Sequence, residues 1–199
     1  MQLSRRFLLA LPALALARSA RAQGADPRLA ERALGSASAK ITVMEFFSLT
    51  CGHCAAFQRD TFPRVKSELI DTGRIRYVFR DFPLDQVALM AAMVARSLPP
   101  ERYEPFVSAL LASQDRWAYG RGVNHVEEVA KIAALAGLPR AGFNAAIGDE
   151  KLKAAILTGQ DEGEKKYGVQ STPSFVIDGR TVAGAMSYDR FLKEIGAAS

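Results

Sequence analysis

Hydrophobic positions fall along this chain in blocks of two different periods. Ile41, Val43, Met44, Phe46 and Phe47 make a short run rich in β-branched and aromatic residues, interrupted by Thr42 and Glu45. Such a run reads as a buried strand. After Cys51 the spacing lengthens to that of a helix, with Phe57, Phe62, Val65 and Leu69 on one side and an end near Gly73. Thr50 stands where an N-cap is wanted. Pro63 lies inside this helix and should kink or divide it, because proline lacks the N–H and crowds the preceding turn. Ile75–Phe79 reads as a second strand. Strand, helix, strand at this length is a βαβ unit.

Residues 86–160 carry four helical patterns and no convincing strand. Val87, Met90, Val94 and Leu98 share a face, as do Tyr103, Phe106, Val107, Leu110 and Leu111. Val129, Ile132, Ala133 and Ala136 make a third stripe, capped by Asn124 with Glu127 three later and ended by Gly137 and Pro139. Leu152, Ala155, Ile156 and Gly159 make a fourth. Ser174–Ile177 and Thr181–Ala183 then flank Asp178-Gly179-Arg180, a strong hairpin signal. Tyr188–Ile195 closes the chain as a helix capped by Ser187. The order is βαβ, helical block, ββα. Residues 40–85 and 161–199 form the two parts of one α/β core, 86–160 are inserted helices, and 23–39 read as a loose leader.

The first residues change the charge argument. Arg5-Arg6 precede an apolar stretch from Phe7 to Ala17, and Ala20-Arg21-Ala22 is a small-x-small cleavage signal. Residues 1–22 therefore read as an export peptide. Paired arginines behind Ser4 fit the twin-arginine route, with the Sec route as the alternative. An uncleaved anchor is the competing reading, but 11 apolar residues fall short of the ~20 that span a bilayer. The whole chain holds 26 basic and 21 acidic side chains, net +5; the signal holds four arginines and no acid, which leaves 22 against 21, or +1. Nothing in that balance favours nucleic acid. The remaining length suffices for one core. Export to the periplasm puts the thiols in an oxidising compartment.

Cys51 and Cys54 are the chain's two cysteines, in Cys51-Gly52-His53-Cys54 at the join of strand and helix. A disulfide closing so small a loop restrains the unfolded chain little, so the pair reads as reactive rather than structural. At the first helical turn Cys51 faces unpaired N–H groups and the positive end of the helix dipole, and His53 adds a donor or cation. Both favour the thiolate, which is the nucleophile, and a stabilised thiolate makes the disulfide a better oxidant. Cys54, a turn deeper, is expected to be shielded. A zinc site is a rival reading, yet it needs four ligands and the chain offers only His53 and His125 besides the cysteines. Covalent haem requires a histidine where Ala55 stands. Thr172-Pro173 opens the strand Ser174–Ile177, as a plain turn or as a cis bond that turns the Thr172 backbone toward an extended substrate. Glu45 lies mid-strand, either as an edge carboxylate in water or as a buried acid of raised pKa that exchanges protons with Cys54, with Arg76, Arg80 or Lys40 as partner.

Taken together, Glu45-Phe46-Phe47-Ser48-Leu49-Thr50-Cys51-Gly52-His53-Cys54, the helices that follow and Ser171-Thr172-Pro173 resemble the DsbA-like thiol–disulfide oxidoreductases of the thioredoxin superfamily, from about Lys40 to Ile195. The resemblance implies a thioredoxin fold with an inserted all-helical subdomain. It implies Cys51 as nucleophile, Cys54 as resolving thiol, Gly52 and His53 as tuning dipeptide, Glu45 as buried acid and Pro173 as cis-proline behind Thr172. It further implies thiol substrates on reduced or unfolded exported proteins, a DsbB-like quinone-linked membrane partner for reoxidation, and no metal or diffusible cofactor. Gly-His departs from the Pro-His of the best-known oxidase, Gln58 replaces a second acid, and Ser97 and Ala146 stand where close relatives often carry a further cysteine pair. An oxidase is the first expectation. An isomerase or reductase of the same fold, a Cu(I)-binding copper-tolerance module and a non-catalytic peptide-binding chaperone are its rivals.

Overall fold

A computed structural model describes residues 26–196; the expected signal at 1–22, its cleavage site and the start of the leader lie outside the described residues. A five-stranded mixed sheet organises the chain. Its strands are β1 (Arg32–Leu34), β2 (Ile41–Phe47), β3 (Ile75–Asp81), β4 (Ser174–Ile177) and β5 (Arg180–Ala183), in the spatial order β1-β3-β2-β4-β5. β2 runs parallel to β3 and antiparallel to β4, so it is central and pairs on both sides. The parallel pair needs a crossover, and α1 (Gly52–Asp60) and α2 (Phe62–Val65) supply it.

Pro63 divides this crossover as its chemistry requires. Thr61 ends α1, Pro63 opens α2, and residues Lys66–Ile70 widen into a π turn before Gly73 reverses the chain at φ +75°. The cap differs from the expectation. The helix begins one residue later, so Cys51 is the N-cap and its sulfur accepts the Cys54 N–H; the Thr50 hydroxyl donates instead to Asp85 at 2.7 Å.

Six helices fill the space between β3 and β4: α3 (Gln86–Arg96), α4 (Pro100–Ala112), α5 (Gln114–Trp117), α6 (His125–Leu135), α7 (Arg140–Ile147) and α8 (Glu150–Tyr167). The four stripes predicted α3, α4, α6 and α8; the short α5 and α7 had no stripe of their own. Asn124 caps α6 by accepting the Glu127 N–H. α8 runs through the expected boundary at residue 160 and ends at Gly168, φ +65°. It lies directly on the sheet: a Cβ on Gly163 would stand 2.5 Å from a ring carbon of Phe46. The loose leader is also corrected. Residues 32–34 form an edge strand antiparallel to β3, too short to show a period, and Arg32 is buried there. Asp178 and Gly179 take φ +49° and +76° in the tight turn between β4 and β5. The last helix, α9 (Tyr188–Gly196), carries the Ser187 cap on the Arg190 N–H.

The larger hydrophobic cluster lies on the sheet face that carries Val43, Phe47, Tyr77 and Phe79, against α1, α2 and the inserted helices. A smaller one, Phe46, Phe82, Val169 and Val176, lies on the opposite face. Both sulfurs belong to the first cluster, at the carboxyl end of the central strand.

Candidate active site

The chain leaves β2 at Phe47 and turns into α1 at Cys51, which leaves one sulfur a narrow exposure and buries the next completely. Cys51 is 7% exposed and Cys54 is 0% exposed; both are free thiols. The Cys51 sulfur accepts the Cys54 N–H at 3.4 Å, and its thiol donates to the Thr172 carbonyl at 3.2 Å. The Cys51 thiol is pushed down to about 5, first by the hydrogen bond from the Cys54 thiol, against the cost of burial, and then by the Thr172 side chain and the N–H groups of Cys54 and His53. His53 thus acts through its backbone, while its imidazole is exposed. Gly52 is exposed, and a Cβ there would meet nothing within 4 Å. Cys54 is pushed the other way, well above an ordinary thiol, by burial, by its shared hydrogen bond with Cys51 and by the Glu45 carboxyl.

Glu45 sits in the centre of the sheet and is 3% exposed, which removes the edge-strand reading. Its partner is none of the three expected cations. Arg76 pairs with Glu31, Arg80 with Glu162, and Lys40 lies at the opposite end of β2. Instead the Tyr77 hydroxyl donates to Glu45 Oε2 at 2.8 Å. Burial raises the Glu45 carboxyl to about 7, partly offset by the Tyr77 hydrogen bond and aided by the nearby Cys51 sulfur.

Thr172 and Pro173 close the site from the start of β4. Their peptide bond is cis. The Thr172 hydroxyl is buried and has no hydrogen-bond partner among the described residues. Its carbonyl is the group that accepts from the Cys51 thiol.

Four further residues hold the site that no sequence motif marked. Gln114 of α5, itself buried, donates to the carbonyls of Leu49 at 2.8 Å and Cys51 at 3.1 Å. The Tyr119 hydroxyl donates to the Thr50 carbonyl. Asp85, the N-cap of α3, accepts from Thr50 and from the Ala88 N–H at 2.7 Å each. Tyr77 holds Glu45. A glutamine before a tryptophan or a tyrosine in an apolar strand carries no local signal of such a role. Gln58, in place of a second acid, donates to Ser108 at 2.7 Å.

Comparison with known proteins agrees with this geometry. The thioredoxin family model matches residues 28–197. The crystal structure of Wolbachia pipientis alpha-DsbA1 superposes with a TM-score of 0.78 at 33% identity, covering 84% of this chain and 90% of that one. The thiol-disulfide exchange protein alpha-DsbA2 of the same organism gives 0.67 at 27% identity, over 85% and 87%. A candidate protein-disulfide oxidoreductase of Rickettsia prowazekii is 32% identical over 147 residues, 73% of this chain and 53% of that protein. The chain thus spans about half the length of the curated relatives it matches first.

Proposed function

Because the chain belongs to the thioredoxin family and is of the DsbA type, we propose that it is an exported protein-disulfide oxidoreductase working as an oxidase on the thiols of reduced or unfolded exported proteins. The observation that carries this reading is the opposite treatment of two neighbouring sulfurs. Cys51 keeps 7% exposure with its anion favoured, and Cys54 is wholly enclosed with its anion disfavoured.

In the disulfide form a substrate thiolate attacks the Cys51 sulfur. The new bond joins substrate to Cys51, the Cys51–Cys54 bond breaks, and Cys54 leaves with the electron pair and takes a proton from the Glu45 acid. A second substrate thiolate then attacks the substrate sulfur of the mixed disulfide, and Cys51 leaves as a stabilised thiolate. The substrate gains a disulfide and the protein ends as the dithiol. The His53 N–H supports the departing anion, and Thr172 with Pro173 lines the floor on which an extended substrate segment lies. A DsbB-like membrane partner linked to quinone restores the disulfide. Export follows the signal at residues 1–22, into the periplasm. Among the described residues no helix is long and apolar enough to cross a membrane.

The test is a redox titration against glutathione at pH 7. A thiol held at about 5 is nearly all thiolate at that pH, which stabilises the reduced form and raises the potential. The expected midpoint lies above about −180 mV, toward the oxidising end of the family scale. A midpoint near about −270 mV would assign a reductase instead. Repeated at falling pH, the preference for the reduced form declines as Cys51 becomes protonated and is gone below about 5.

A further inference from the structure

Tyr77 is buried more completely than its surroundings require. It is 0% exposed, and its ring meets Phe62 at 5.3 Å and Phe79 at 5.2 Å between centroids. A phenylalanine would satisfy those contacts. The hydroxyl is the part that needs explaining, because a buried phenol O–H requires an acceptor. Register supplies one. Val43 stands opposite Tyr77 and Glu45 opposite Phe79, so Tyr77 and Glu45 are diagonal neighbours on one face of the parallel pair. The bond is 2.8 Å long.

We propose that Tyr77 is a positioning residue for the thiol exchange: its hydroxyl holds the Glu45 carboxyl in place and stabilises the ionised form that accepts the proton of Cys54. This rests on the oxidoreductase reading above. The groups that face the carboxyl are few. β3 presents Tyr77 and the apolar Phe79, β4 presents Phe175 across the antiparallel pair, and the start of α1 presents Cys54 and, beyond it, Cys51. Phe62 and Phe79 wall the phenol off, and burial beside Glu45 keeps its own proton bound well above ordinary pH. Tyr77 is thus a donor and not a conduit. The proton that Glu45 exchanges passes on the sulfur side.

The balance of the step is simple. When the protein is reoxidised, the partner's sulfur is joined to Cys51 and the Cys54 thiol must attack. Glu45 carboxylate takes the thiol proton, the Cys54 sulfur bonds to Cys51, and the partner leaves as a thiolate with the electron pair. Tyr77 favours the carboxylate that begins this step. Without the hydroxyl, a smaller fraction of the molecules holds a base at a given pH.

The experiment uses the Cys51–glutathione mixed disulfide and follows glutathione release between pH 4 and pH 9 in the native protein, Tyr77→Phe, Glu45→Gln and the double variant. Loss of one hydrogen bond to a charged group is worth roughly a factor of ten. The rising limb in Tyr77→Phe is therefore expected about one pH unit higher, with release about tenfold slower on the limb and unchanged at its top. Glu45→Gln is expected to abolish the limb, and adding Tyr77→Phe to it to change nothing further. Carboxyl 13C titration of Glu45 should move upward in Tyr77→Phe as well. A limb and a carboxyl titration that stay in place in folded Tyr77→Phe overturn the proposal, as does a limb that survives in Glu45→Gln. Should Tyr77→Phe fail to fold, Tyr77→Met removes the hydroxyl while keeping a large, adaptable apolar side chain and is read the same way. If the protein forms no mixed disulfide at all, the oxidoreductase reading fails, and the 13C titration still decides what Tyr77 does to Glu45.

Discussion

Two buried carboxyl groups sit on adjacent strands of this sheet, each bonded to a tyrosine hydroxyl, and their fates differ. Glu45 on β2 has Tyr77. Asp81 at the end of β3 has Tyr103 at 3.0 Å and, in addition, the Arg96 guanidinium at 2.5 Å. Arg96 is itself satisfied by the carbonyl of Ala30 at 3.0 Å, and its own carbonyl accepts from Arg32 at 3.1 Å. Burial opposes the charge on Arg96, and the Asp81 carboxylate more than restores it. Among the described residues no cation pairs with Glu45, and burial brings it to about 7. The presence of one arginine separates a fastening from a titrating group. Asp81 joins β3, α3, α4 and the entering segment; Glu45 is free to change its charge beside a sulfur.

The comparison is most severely broken by removing the arginine. Arg96→Met leaves the Asp81 charge buried and uncompensated, and the expected loss of stability is about 3–5 kcal/mol, measured by urea unfolding. Disulfide exchange by the molecules that remain folded should be little altered.

Second in size is the pH dependence carried by Glu45. Its folded pKa is raised to about 7 from the 4.5 of an ordinary glutamate. The native state therefore binds a proton that the unfolded chain has lost, and stability falls as pH rises between those values. Glu45→Gln removes this fall. Its stability relative to the native protein should improve by on the order of 3 kcal/mol from pH 4.5 to pH 7 and stay level above. Urea midpoints of the reduced proteins at four pH values read this directly. A constant difference across the range would mean that the carboxyl titrates as if in water.

The smallest effect sharpens the contrast. Tyr103→Phe removes one of the two side-chain bonds to the Asp81 carboxylate and should cost about 1 kcal/mol. Its pH profile for glutathione release should match the native one, whereas that of Tyr77→Phe should not.

What could be seen in the sequence is what depends on near neighbours along the chain. Strand β2, the divided crossover at Pro63, the Asp178-Gly179 turn and the Asn124 cap each rest on residues a few positions apart. Cys51 and Cys54 were visible for the same reason, since a spacing of three already brings them together on a helix. Tyr77 was not, because a tyrosine within an apolar strand looks like core until the register shows whose carboxyl it meets. A buried acid suggests a cation, but Arg76 and Arg80 pair with Glu31 and Glu162, and Lys40 lies off the strand end. Thr50 is not the cap because capping depends on which residue leaves the helix first, and that residue is Cys51. Strand β1, three residues long, derives its identity from pairing with β3 rather than from any pattern of its own.

Gln114 ties the backbone on both sides of Thr50 to the inserted helices through a single amide nitrogen. Any tilt of α5 is therefore passed through that nitrogen to the loop that carries Cys51. The inserted helices and the sulfur-bearing turn are mechanically one piece.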